Sequence, residues 1–293
     1  MSFQPKWADL KLDGAFSNAA GVCCTTREEL DILQNCPHIS VIVTKSCSLN
    51  KREGNPKPRY MNTELGSINS MGLPNLGYKF YVEYCKNSVK PCILSIANIN
   101  TEETNIILND IKNLDYIKYP EINVSCPNIP GKEQLGYRLN DLEIFIKETS
   151  EIYGKPFGLK LPPYFDETHF PTVANIINKF PLIKYVTCIN SIGNGLLFDI
   201  KTKKPLILPK EGLGGIGGEY ILPTAVANVY KFRKLLRQDI DVIACGGITN
   251  GEDVCQHYLA GASFFQVGTH IYKNGPNSVA EINNKFKSFL HYY

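Results

Sequence analysis

Asp241-Val242-Ile243-Ala244-Cys245-Gly246-Gly247, then Gly251–Leu259, then Phe264-Phe265-Gln266-Val267-Gly268-Thr269: this stretch decides the fold. The two apolar runs are short and almost unbroken, as in strands of a parallel sheet buried on both faces. The segment between them has helical spacing and links one strand to the next. Each run ends in a pair of small residues that starts with glycine.

Working outward, the same unit recurs toward the N-terminus. Apolar runs at Phe16–Ala20, Ser40–Thr44, Cys92–Ile96, Glu121–Ser125, Phe157–Leu161 and Tyr185–Asn190 bring the strands to eight. Helical patterns follow near Thr26–Asn35, Leu76–Asn87, Glu102–Leu114, Leu139–Tyr153, His169–Lys179, Thr224–Leu236 and Pro276–Leu290. Thr26 and Glu29 have the spacing of a capping box. Eight consecutive βα units predict an α/β fold, a (β/α)8 TIM barrel spanning residues 1–293 as one domain. A doubly wound open sheet is the competitor, and the lack of a second-domain linker weighs against it.

Two segments exceed a minimal unit. Residues 45–75 and 191–223 are long βα insertions, the first dense in Gly, Pro and Asn. Within the second, the apolar run Leu206–Leu208 predicts an extra strand. Long insertions of this kind build the active-site face of a barrel.

Composition narrows the partners. Hydrophobic residues make up 43% and charged residues 20% of the 293, an ordinary globular balance. A net charge of +3 is too small to argue for nucleic acid or an acidic membrane surface. The ten cysteines include no C-x-x-C pair, and no histidines have ligand spacing, so no metal is expected. No secretory signal opens the chain, and no apolar run approaches the ~18 residues of a membrane span. Free thiols in the cytoplasm are the expectation.

In such a barrel the chemistry sits at the C-terminal ends of the strands. Reading those ends is a functional test. They are Ala20-Gly21, Thr44-Lys45-Ser46, Asn123-Val124-Ser125-Cys126-Pro127-Asn128, Lys160-Leu161, Asn190-Ser191, Gly246-Gly247 and Gly268-Thr269. Lysine and asparagine are poor choices for buried strands unless partnered. Their convergence on one rim therefore predicts a polar site. Gly246-Gly247 and Gly268-Thr269 follow strands seven and eight, where barrels commonly bind phosphate through backbone N–H groups. The run Gly212–Gly218 matches G-x-G-x-x-G but lacks the strand–turn–helix context of a dinucleotide fingerprint, since the next helix starts only near Thr224. A loop closing over the same phosphate is the expectation.

Cys126 carries the sharpest hypothesis. A buried structural thiol is the commoner fate of this residue type. Here it ends a strand between Asn123 and Asn128 and precedes a lid-like stretch, Pro127–Arg138. A thiol of pKa ~8.5 serves as a base once its surroundings shift it. No histidine stands nearby in sequence, which argues against a Cys-His nucleophile.

At this point the residues resemble a family. Lys51–Pro56 with Pro58-Arg59, Ser67-Ile68-Asn69-Ser70-Met71-Gly72-Leu73-Pro74-Asn75, Asn123–Gly131, Lys160–Phe165 and Asn190–Gly195 are similar to class 1A dihydroorotate dehydrogenases. The resemblance covers almost the whole chain. It implies a cytosolic homodimer that carries FMN, oxidises dihydroorotate to orotate in pyrimidine synthesis and passes electrons to fumarate. It implies Cys126 as the base that removes the C5 proton, with hydride leaving C6 for flavin N5. Substrate would be held by Lys45, Asn69, Met71, Gly72, Leu73, Asn123, Asn128, Asn190 and Ser191. FMN would lie against Ala20, Gly21, Lys45, Ser46, Asn123, Lys160 and Ile189, with its phosphate on Gly218, Gly246, Gly247, Gly268 and Thr269. Chemistry agrees: a planar anion with imide edges needs amides that donate and accept, and a cation for its carboxylate.

Some positions depart from the family pattern. Glu133 replaces a usual proline, Arg138 a usual aspartate and Asn98 a usual glycine, and the chain ends at Tyr293, some twenty residues before its relatives. These departures put turnover, stability and the dimer in question. Two alternatives stay open: an FMN-dependent dihydropyrimidine or dihydrouridine reductase, and a non-catalytic flavin-binding descendant. A third, weaker one is a phosphate-binding barrel isomerase without flavin.

Overall fold

In the computed structural model, which describes residues 3–125 and 133–292, parallel strands form a closed ring. They are β1 (Phe16–Asn18), β2 (Ile42–Val43), β3 (Cys92–Ile93 and Ser95–Ala97) and β4 (Glu121–Asn123). The ring continues with β5 (Phe157–Leu161), β6 (Ile183–Cys188), β7 (Asp241–Cys245) and β8 (Phe264–Val267). Each pairs with its sequence neighbour, and β8 pairs back to β1. The β1–β2 seam is thin, with one parallel bridge between Ser17 and Val41. The Asn18 side chain reinforces it, accepting from Val43 N at 2.9 Å and donating to Val43 O at 2.7 Å. An amide replaces the missing ladder bonds, as buried backbone groups require. The result is the (β/α)8 barrel.

Strand period puts residues i and i+2 on one face. Val43, Ile93, Tyr185, Ile243 and Phe264 pack together with Trp7 in an apolar cluster drawn from across the ring, so this face is the barrel interior. Trp7 plugs its floor, edge-on to Tyr185 at 5.1 Å. Gly158 has no side chain because the Tyr185 ring occupies that space: a methyl there would lie 2.2 Å from it. Two residues further along each strand the interior turns polar, with Ser95, Lys160, Thr187 and Gln266, while β4 contributes Glu121 and Asn123; all are buried. An apolar floor thus carries a polar layer, and that layer faces the C-terminal rim.

The helices cover the outside. They are α1 (Arg27–Asn35), α2 (Tyr78–Asn87), α3 (Thr101–Ile111), α4 (Leu139–Tyr153) and α5 (His169–Asn178). After them come α6 (Leu222–Leu235), α7 (Gly251–Leu259), α8 (Thr269–Asn274) and α9 (Val279–Tyr292). Thr26 and Glu29 close the expected capping box on α1.

Four expectations need correction. The extra strand is not Leu206–Leu208; the paired residues are Phe198–Asp199 with Lys204–Pro205, one step earlier. The glycine run is not a loop: Gly214–Gly218 is a strand between Ile192–Gly195 and Gly66–Asn69, and Tyr60–Thr63 completes this antiparallel sheet of four. Glycine is required by close strand approach, since a methyl on Gly214 would lie 2.5 Å from the Asn69 carbonyl oxygen. Third, α6 begins at Leu222, with Pro223 accepted in its first turn, where no N–H partner is needed. Fourth, the last pattern splits: Pro276–Ser278 is a 3₁₀ turn before α9, and the short α8 was not anticipated at all. The antiparallel sheet draws on both long insertions, 45–75 and 191–223, and its strands border the barrel mouth.

Candidate active site

The rim residues singled out above line one cavity at the C-terminal mouth. Lys45, Ser46, Asn69, Met71, Leu73, Asn123, Asn190 and Ser191 all face it. So do Ala20, Gly21, Lys160, Ile189, Gly218, Gly246, Gly247, Gly268 and Thr269. Gly72 does not line it: its φ is +70°, and a methyl there would run into the Asn55 side chain, 2.3 Å from Oδ1. Gly72 shapes the turn that presents Met71 and Leu73. Cys126 and Asn128 lie outside the described residues.

An amide cluster occupies one wall. Asn123 Oδ1 accepts from Ser125 N at 3.1 Å and Ser125 Oγ at 2.9 Å, and its Nδ2 donates to Ser46 Oγ at 3.3 Å. Asn190 Nδ2 donates to the Ser125 carbonyl at 3.0 Å, and Asn190 Oδ1 accepts from Ser191 N at 2.8 Å. These bonds fix both amides, so neither must reorganise when a ligand arrives. Asn69 Nδ2 donates to the Gly215 carbonyl at 3.2 Å, a bond between neighbouring strands of the antiparallel sheet.

Both lysines are buried, Lys45 at 6% and Lys160 at 4% exposure. Gly21 leaves room for the Lys45 ammonium: a methyl there would sit 2.9 Å from Nζ. The Cys24 thiol beside it is pushed up to about 12 by burial, against the pull of Lys45, so it stays protonated. Lys160 Nζ donates to Gln266 Oε1 at 3.0 Å from the polar layer below.

The opposite wall is glycine-lined. Ser67 Oγ and Thr269 Oγ1 lie 3.1 Å apart, and a methyl on Gly217 would reach Thr269 Oγ1 at 3.0 Å. Two hydroxyls and a set of glycine turns leave a cradle that any side chain would fill. That is the donor set a phosphate monoester needs. Ser67 and Cys245 also line the cavity and were not named from sequence, while Gly217 lines it from within the expected glycine run. Cys245 directly precedes Gly246, so its signal was present. Tyr60 and Tyr272, stacked at 4.2 Å on the rim, gave none, because one comes from an insertion and the other from the unanticipated α8. Arg138 pairs with Asp141, three residues on, at 2.5 Å.

His257 supports the glycine turn from beneath. It is fully buried, its Nε2 donates to the Gly246 carbonyl at 2.9 Å, and Nδ1 has no partner among the described residues. Burial drives its pKa down to about 4. The unfolded chain takes up that proton near ~6.5, so stability is lost as pH falls between these values. A loss of about 3 kcal/mol is expected between pH 7 and pH 4. His257→Gln, measured by denaturant unfolding at both pH values, should lack that part of the loss; an undiminished loss would clear His257.

The fold and this cavity define the class first: an α/β-barrel enzyme with its polar groups gathered at the C-terminal rim. Residues 2–290 match the family model described as dihydroorotate dehydrogenase. The chain is similar to dihydroorotate dehydrogenase (fumarate) of Trypanosoma cruzi, 46% identical over 94% of this chain and 89% of that one. Dihydroorotate dehydrogenase A (fumarate) of Lactococcus lactis subsp. cremoris is 47% identical over 92% of this chain and 88% of its own. A crystal structure of DHODH from Eimeria tenella in complex with ferulenol superposes with TM-score 0.74 at 17% identity, covering 100% of this chain and 88% of that one. At that identity the likeness speaks for the fold. The chain belongs to the dihydroorotate dehydrogenase family, and its relatives place it with class 1A.

Proposed function

We propose that this chain oxidises dihydroorotate to orotate in pyrimidine biosynthesis, with FMN as its flavin and fumarate as electron acceptor. The observation that supports this most is the meeting of two buried lysines, an amide cluster and a glycine-lined cradle in one cavity. Relatives named for the fumarate-linked enzyme supply the acceptor.

FMN fits the residues present: the cradle of Ser67, Thr269 and the glycines suits its phosphate, and Lys160 suits the electron-rich edge of its ring. Bound FMN supplies the acceptor for the hydride that leaves C6 of dihydroorotate. Ala20, Gly21, Ser46 and Ile189 line the ring. Lys45 pairs with the substrate carboxylate, while Asn69, Asn123, Asn190 and Ser191, joined by Asn128, hold the imide edges. Cys126 removes the C5 proton. Met71 and Leu73 exclude water from the substrate side.

The same reading takes residues 1–293 as one FMN-binding barrel domain and places it in the cytoplasm; no helix among the described residues is long and apolar enough to cross a membrane. It also makes the chain a homodimer. Phe198 and Ile200 stand 51% and 84% exposed on the second insertion, apolar surface that a second copy would cover. Sedimentation of the purified chain tests this.

The deciding experiment is spectroscopic. Purified protein should be yellow, and its flavin band should bleach anaerobically on adding dihydroorotate and return on adding fumarate. A yellow protein that binds orotate but never bleaches would overturn the dehydrogenase reading in favour of a non-catalytic flavin protein. Bleaching by NAD(P)H alone would instead point to a pyrimidine reductase.

A further inference from the structure

Below the cavity, the barrel interior holds a carboxyl group that the mechanism above does not use. Glu121 on β4 has no solvent exposure. Its Oε2 accepts from Thr187 Oγ1 at 2.7 Å and from Gln266 Nε2 at 3.3 Å. The other end of the same Gln266 amide, Oε1, accepts from Lys160 Nζ at 3.0 Å. A continuous file therefore runs Lys160, Gln266, Glu121, Thr187 across four strands. The orientation of the Gln266 amide is fixed by the file: oxygen toward the ammonium, N–H toward the carboxyl group.

Hydrogen bonding speaks to the charge of Glu121. Oε2 accepts from both neighbours, and Oε1 has no hydrogen-bond partner among the described residues. A proton on Oε1 would be a buried donor with nothing to receive it, which costs more than an unused acceptor. An isolated buried carboxylate is also costly, and a buried ammonium across one amide offsets both.

We propose that Glu121 is a positioning residue which, through Gln266, holds Lys160 as an ammonium at the floor of the flavin cavity. The consequence for the flavin rests on the function proposed above; the charge arrangement does not. Among the described residues, three titratable groups act on Lys160: Cys245 from β7, Glu121 from β4 and Cys188 from β6. Burial alone would lower its pKa, yet Cys245, Glu121 and Cys188 outweigh burial and hold it above the ordinary lysine value. Of these, Cys245 also hydrogen-bonds Lys160 directly, while Glu121 is the carboxyl group that reaches it through the Gln266 amide. An ammonium kept in place at the edge of the ring would stabilise the negative charge that arrives with the hydride.

The test follows the Lys160 amine by NMR in the full chain, with labelled lysine and the resonance identified by its loss in Lys160→Met. In Glu121→Gln, the pH at which Lys160 titrates should fall by one unit or more, a tenfold change, and Glu121→Asp should restore most of it. Gln266→Met, which cuts the relay and keeps the carboxyl, should give a smaller fall in the same direction. In flavin-loaded protein, the pH above which the flavin midpoint potential steepens its decline should shift in parallel. An unchanged Lys160 titration in both Glu121→Gln and Gln266→Met would overturn the proposal. A fall produced by Cys245→Ala and not by Glu121→Gln would assign the role to the thiol and overturn it equally. A chain that bound no flavin would refute the proposed function while leaving the lysine titration measurable.

Discussion

Cys126→Ser is expected to slow reduction of bound flavin by dihydroorotate by about 10²–10⁴-fold, the usual contribution of a general base, while FMN stays bound. The backbone leading into Cys126 is held at the cavity. Ser125 is buried, its carbonyl accepts from Asn190 Nδ2 at 3.0 Å, and its N–H and hydroxyl both donate to Asn123 Oδ1. Two amides proposed to hold the substrate thus also tether Ser125, the residue before the proposed base. A serine hydroxyl is a far weaker acid than a thiol, so at neutral pH almost none of it exists in the form that takes a proton. Flavin reduction in the parent protein should rise with pH toward a thiol pKa near ~8.5, and the variant should show that rise only at higher pH. Stopped-flow bleaching under anaerobic conditions gives both rates. Reduction at the parent rate in Cys126→Ser would remove this thiol from the mechanism.

Much of the barrel was legible because its strands are almost pure apolar runs. Phe157–Leu161, Asp241–Cys245 and Phe264–Val267 come out with the bounds read from sequence. Buried parallel strands carry this signal since both faces meet apolar partners. The rim residues were legible for the converse reason: Lys45, Lys160 and Asn123 are types that buried strands avoid unless a site uses them. The antiparallel sheet over the mouth escaped. Its middle strand, Gly214–Gly218, is nearly all glycine, and a residue without a side chain has no hydropathy period to read. Its pairing with Gly66–Asn69 joins segments about 150 residues apart, beyond any local pattern. Gly72 itself does not line the cavity: a motif names residues and not the directions they face. Glu121 was passed over as the polar start of an apolar run; only the ring closure, which brings β4, β5, β6 and β8 around one axis, puts it beside Gln266 and Thr187. On the role proposed for Lys160, the file it forms accounts for the polar interior, since a buried cation needs an anion nearby.

Gly247→Ala should abolish useful FMN binding, and Gly275→Ala should leave it intact. Both glycines adopt left-handed backbone, with φ of +81° and +75°. Alanine at either position therefore costs about 1–3 kcal/mol for the conformation. The surroundings differ. A methyl on Gly275 meets nothing within 4 Å, whereas one on Gly247 lies 2.4 Å from Leu222 Cβ and 2.5 Å from its Cα. Leu222 opens α6, so the obstacle is helix backbone that cannot swing aside. Overpacking adds about 1–3 kcal/mol, or else the turn moves away. If the turn moves, it carries its N–H groups off the phosphate. Losing two hydrogen bonds to a charged group, about 1.5 kcal/mol each or more, weakens binding about 100-fold or more. Titration of apoprotein into FMN, followed by flavin fluorescence, reads the affinity; denaturant unfolding of the same samples reads the stability. Gly275→Ala controls for positive-φ strain, because it too has a positive φ but lacks the collision. Should Gly247→Ala bind FMN as tightly as the parent, the phosphate does not sit at the β7 turn, and the cradle formed by Ser67, Gly217 and Thr269 would have to hold it unaided.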